Sequence, residues 1–132
     1  MRYPRAFFGA CFFNDGIITA GGVDENKVET AVGEIFFYKK NFWADLPSLN
    51  VARSSLSLEI LAGSEYLFAL GGYPIGAPIE MMLLNKGAPW TQVNVEEGSE
   101  YFIPFFAGTF SYRDAIYIFG GGQKFSDTCN FL

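Results

Sequence analysis

Leu67-Phe68-Ala69-Leu70-Gly71-Gly72 has two counterparts in this chain. Ile17-Ile18-Thr19-Ala20-Gly21-Gly22 ends 50 residues before it, and Ile116-Tyr117-Ile118-Phe119-Gly120-Gly121 ends 49 residues after it. An apolar run closed by two glycines, repeated at a period near 50, marks a chain of repeated supersecondary units that stack to bury their faces. The units are expected at approximately residues 1–50, 51–100 and 101–132, the last incomplete, within a single region spanning 1–132.

Each unit opens in the same way. Apolar residues 6–13 lead through Asn14-Asp15-Gly16 into residues 17–20, and an Asp-Gly between two strand-like runs is a strong hairpin signal. In the second unit Leu56, Leu58 and Ile60 alternate with Ser57 and Glu59, a period of two, and a turn at 62–65 leads into residues 66–70. In the third, residues 105–111 turn at 112–114 into 115–119. A polar or Gly/Pro-rich loop follows the first two glycine pairs, then another β-type run at 33–38 or 79–84, then a tryptophan, Trp43 or Trp90. That predicts about four antiparallel strands per unit. Met81 to Leu84 are helix-compatible, but Pro78 and Pro89 leave little room for a helix.

The arrangement resembles the Kelch repeat. The most specific stretch is Trp43-Ala-Asp-Leu46-Pro47, followed by Arg53-Ser54, which matches that family's tryptophan, its Leu-Pro, and the arginine that opens the next blade. Arg5 holds the corresponding place ahead of Gly21-Gly22. The second unit lacks the Leu-Pro after Trp90, and the third has Ile103 or Pro104 where an arginine would stand. The resemblance implies an all-β fold, a partial Kelch-type β-propeller built from four-stranded antiparallel blades. It also implies structural roles for Arg5, Gly21, Gly22, Trp43, Arg53, Gly71, Gly72, Trp90, Gly120 and Gly121. The glycines permit close backbone approach. The tryptophans act as wedges between sheets, their indole N–H groups satisfying a carbonyl. The arginine fork is expected to tie one blade's backbone to the next.

Composition narrows the function. Charged residues make up 17% of the 132, below the usual quarter of about 25%. Half the residues are hydrophobic and 18% are aromatic, so much of the surface is expected to be covered by another chain or a second copy. The net charge is −5 and the longest basic run is Lys39-Lys40, a balance that repels a phosphate backbone and argues against nucleic-acid binding. Arg2 and Arg5 ahead of apolar residues 6–13 have the outline of a signal peptide, but that stretch fits the first strand of the repeat. No segment has the 18 or more apolar residues of a membrane span.

There are no histidines, and Cys11 and Cys129 lack ligand spacing, so a Cys/His zinc site, a Ser-His-Asp triad or a Cys-His nucleophile cannot form within one chain. The two cysteines read as small buried residues, which suits a reducing, cytoplasmic compartment. Gly120-Gly121-Gly122-Gln123-Lys124 lacks Walker spacing. Neither catalysis nor a cofactor is expected. The copper chemistry of some propeller relatives needs histidines and does not carry over.

The resemblance implies recognition of proteins by loops at one rim. Asp24, Glu25, Tyr73, Glu96, Glu97 and Tyr101 are the candidate partner-binding residues, with Glu29 and Glu100 beside them. Fewer than three full units leave apolar faces and strand edges uncovered. The expected function is therefore a non-catalytic interaction or structural module working in an oligomer or larger complex. The alternative is a fragment of a longer propeller acting as a recognition domain.

Overall fold

The computed structural model describes residues 1–95, 103–122 and 129–131. It is all-β, in three antiparallel sheets, and no α-helix occurs among the described residues. The first sheet is β1 (Gly9–Phe13), β2 (Gly16–Ala20), β3 (Gly33–Phe37) and β4 (Phe42–Leu46), in sequential order. The second is β5 (Ser57–Ile60), β6 (Tyr66–Leu70), β7 (Glu80–Leu83) and β8 (Thr91–Gln92), again sequential. The third holds β9 (Gly108–Tyr112), β10 (Ala115–Phe119) and β11 (Cys129–Phe131), with β10 in the middle. These are the blades of a propeller arc that does not close.

Short turns set the register. Asn14 takes a left-handed φ of 51° between β1 and β2, which lets Phe13 pair with Gly16 and Phe12 with Ile17. The last strand of the second sheet, expected to follow from Trp90, is only two residues long. A single 3₁₀ turn at Leu84–Lys86 and the imino residue Pro89 use up that connection, and pairing begins only at Thr91 opposite Met81.

The sheets stack through their first strands, with β1 beside β5 and β5 beside β9. Two apolar clusters fill the joints. Ile18, Ile35, Leu58, Leu67, Met82 and Trp90 lie in the cluster between the first and second sheets. Leu70, Ile79, Ile116 and Ile118 lie between the second and third. Strand alternation explains the split: Leu67 and Ala69 face one way, and Phe68 and Leu70 face the other.

Candidate interaction surfaces

The repeat leaves a buried ion pair in each of the first two sheets. Arg53 Nη2 donates to Glu80 Oε1 at 2.8 Å, with both side chains wholly buried. Arg53 Nη1 donates to the Gly71 carbonyl at 3.2 Å. Glu80 also accepts from the backbone N–H groups of Asn50 (2.6 Å) and Val51 (3.2 Å). Burial lowers the affinity of the Arg53 guanidinium for its proton, and the Glu80 charge opposes that shift. In the first sheet Arg5 Nη1 donates to Glu34 Oε2 at 2.6 Å and Nη2 to Thr19 Oγ1 at 2.8 Å, while the Arg2 N–H reaches Glu34 Oε1 at 2.7 Å. Arg5 Nε is buried without a partner among the described residues.

The arginine fork thus holds its own sheet rather than the next one. A desolvated guanidinium needs a carboxylate, and glutamate at the start of the third strand supplies it. It is the arginine's carbonyl that crosses to the preceding sheet, accepting from the Gly22 N–H at 2.8 Å. A Cβ on Gly21 would run into that same carbonyl, so glycine is required there.

The two tryptophans differ. Trp90 is buried, and its Nε1 donates to the Pro47 carbonyl of the preceding unit at 2.9 Å. Asn50 Nδ2 donates back to the Trp90 carbonyl at 2.8 Å. Trp43 is half-buried and lies against Phe36, with ring centroids 4.9 Å apart. Its neighbour Ala44 packs into the first cluster, so alternation turns Trp43 to the face directed away from the second sheet.

Among the candidate partner-binding residues, Asp24 is half-buried and serves its own loop. Its Oδ1 accepts from the N–H groups of Asn26 (2.9 Å) and Val28 (3.0 Å), and these bonds, led by Val28, hold its carboxyl below the usual carboxylate range. Glu25 and Tyr73 are exposed. Each loop joins the second and third strands of its own sheet, so both lie at one rim of the arc, at the same end of the strands, Tyr73 pairing with Ser54 as Val23 pairs with Ala6. Glu29 takes part in this end by accepting from Ser54 Oγ at 3.5 Å. Glu96, Glu97, Glu100 and Tyr101 lie outside the described residues.

One feature of that end escapes sequence reading. Phe7, Ser55 and Phe106 occupy equivalent places in the three units, and all three have left-handed φ values of 55–57°. Ser55 N–H donates to the Phe7 carbonyl at 2.6 Å and Phe106 N–H to the Ser55 carbonyl at 2.9 Å. The Phe7 and Phe106 rings meet edge to face at 6.0 Å, and both are exposed. A left-handed position usually signals itself as glycine, and none of the three is glycine.

Each end of the arc carries an apolar patch, which on the first sheet lies beside Thr19 and the Arg5–Glu34 pair. On the outer face of the third sheet, Phe110 stacks on Tyr117 (4.9 Å) and Phe119 (5.4 Å), with Tyr112 nearby in the same strand face. On the outer face of the first sheet, Phe12 and Ile17 pair across β1 and β2 beside Phe36 and Trp43. The described residues contain no group of three or more His, Cys, Asp or Glu able to hold a metal ion, and no helix long and apolar enough to cross a membrane.

No protein-family model matches the chain. Part of it is similar to Kelch-like protein 41b of Danio rerio, 37% identical over 75 residues, or 57% of this chain and 12% of that protein. Kelch-like protein 28 of Mus musculus is 33% identical over 81 residues, covering 55% of this chain and 14% of its own length. Kelch-like protein 40 of Homo sapiens is 37% identical over 73 residues, covering 55% and 11%. The chain therefore spans only a small part of the length of the curated relatives it matches. Together with the sheet architecture, these likenesses support a Kelch-repeat family for the chain, in partial form.

Proposed function

We propose that this Kelch-type arc is a non-catalytic protein–protein interaction module that works within an oligomer or larger complex, in the cytoplasm. The observation that carries the reading is the contrast between matched positions. Ala20 and Leu70, just before the first two glycine pairs, are each 1% exposed, whereas Phe119 in the third sheet is 42% exposed. A large aromatic side chain at a position made for burial favours a covered state, by about 25 cal/mol for each Å² removed from water. Glu25 and Tyr73 on the loop rim are proposed as a second contact surface, with Glu96, Glu97 and Tyr101 assigned to it from sequence. An acidic, tyrosine-bearing rim suits a basic partner segment.

A second reading is that the chain is part of a longer propeller serving as a recognition domain. The small share of each relative that it spans favours that reading. Static light scattering with circular dichroism on the purified chain tests the first. Species heavier than 14.6 kDa with β-sheet spectra are expected; a folded 14.6 kDa monomer that binds no other polypeptide contradicts it.

A further inference from the structure

We propose that two copies of this chain dock head to tail, with the third sheet of each against the first sheet of the other and the Arg5 carbonyl seated on Gly120. This deepens the interaction reading above and rests on it. The chain itself contains two finished examples of the joint. In each, the residue opening one unit presents its carbonyl to the glycine of the unit before: Arg53 to Gly21, and Pro104 to Gly71. Two residues on, the backbone is stitched by Ser55 N–H to the Phe7 carbonyl, then by Phe106 N–H to the Ser55 carbonyl.

Both halves of a third such joint are present and open. Gly120 has φ of 60°, matching 69° at Gly21 and 61° at Gly71, so its socket has the same shape. Gly21 and Gly71 are buried, but Gly120 is exposed, and no described residue lies within 4 Å of where its Cβ would be. At the other end, the Arg5 carbonyl and the Phe7 N–H are the groups a third joint would use. Neither makes a backbone hydrogen bond with a described residue. Side chains tell the same story. Leu67 is fully buried in the second sheet, while Ile17, its counterpart in the first, is 39% exposed.

The occupant is a second copy because the chain carries the plug and the socket in matching register. Such a contact is heterologous, each interface taking one face of each kind, and it either closes or grows. Two copies bring twice the three sheets of one chain, six in all, within the four to eight blades of closed propellers. A closed pair covers every end face.

Sedimentation velocity of the 132-residue chain over a wide concentration range tests this. A dimer is expected. Phe119→Asp and Phe12→Asp each place a charge in the joint and are expected to weaken dimerisation about a hundredfold or more. Mixing the two variants is expected to restore a dimer held by one intact joint, the third sheet of the Phe12→Asp variant on the first sheet of the Phe119→Asp variant, with both charges confined to the other joint. Phe110→Asp and Ile17→Asp replace them if either first variant loses the amide-exchange protection of the folded chain. Dimers that survive both substitutions, or that mixing fails to restore, overturn the proposal. Copies that never self-associate but bind a different polypeptide through these faces overturn the head-to-tail pair and leave the interaction reading standing. Folded monomers that bind nothing overturn both.

Discussion

The joint between the first and second sheets and the joint between the second and third share one backbone plan and differ in side chains. At the first, Arg53 is held by Glu80 and Gly71, and Trp90 fills the space beneath the Pro47 carbonyl. At the second, Pro104 presents the carbonyl to Gly71 with no arginine behind it. A cleft of about 350 Å³ opens there among Leu61, Leu70, Val93 and Ile116. Ser57 Oγ donating to the Ala107 carbonyl, and Ala62 N–H donating to Ser111 Oγ, take over part of the bonding. Glycine pairs and carbonyls therefore set how sheets dock. The arginine–glutamate pair and the tryptophan set how tightly the joint is filled.

The largest difference should appear on breaking the ion pair. Glu80→Ala leaves a buried guanidinium uncompensated and is expected to lower stability by about 3–5 kcal/mol, read from urea unfolding. A loss below about 1 kcal/mol would mean that water reaches Arg53 and that the first joint is no tighter than the second.

Overpacking separates the joints next. Ala69→Leu pushes into a filled cluster at the first joint and is expected to cost about 1–3 kcal/mol. Val93→Leu projects into the cleft at the second and should change stability by no more than about 0.5 kcal/mol. Equal costs would erase the distinction. A milder probe is Trp90→Phe, which keeps most of the wedge but orphans the Pro47 carbonyl, for an expected loss of about 1–2 kcal/mol.

The smallest effect concerns Cys11, which packs against the first cluster. Burial, with a lesser contribution from Glu59, pushes its thiol up to about 12 from 9.0. Between those values the unfolded chain releases the proton and the folded chain keeps it. Stability from this group is therefore complete below pH 9.0 and declines as pH climbs toward about 12. At pH 8 the native thiol should react with a disulfide reagent about a hundredfold or more slower than in the unfolded chain. Comparable rates would show a loose first joint.

Much of this architecture is legible in the sequence, and for a physical reason. Gly21 and Gly71 mark points where only a residue without Cβ fits the close approach, and Gly120 shares their left-handed φ, so the repeat is written in residue identity. The paired Arg5 and Arg53 stand out for the same reason. Their partners Glu34 and Glu80 do not, because a glutamate in a strand looks like a solvated residue until the fold buries it 29 or 27 positions away. The left-handed Phe7, Ser55 and Phe106 are invisible because tertiary hydrogen bonds, not local preference, hold them there. On the candidate rim, Glu25 and Tyr73 reach the expected exposed loops, whereas Asp24 is committed to its own turn.

Hydroxyl-radical footprinting across the assembly transition tests the central claim most directly: that the outer faces of the arc are the surfaces it uses. Oxidation of Phe12, Phe110 and Phe119 is expected to fall together as the chain assembles, while exposed Phe42 on β4 stays reactive. Unchanged oxidation at Phe12, Phe110 and Phe119 in the assembled state would contradict the account.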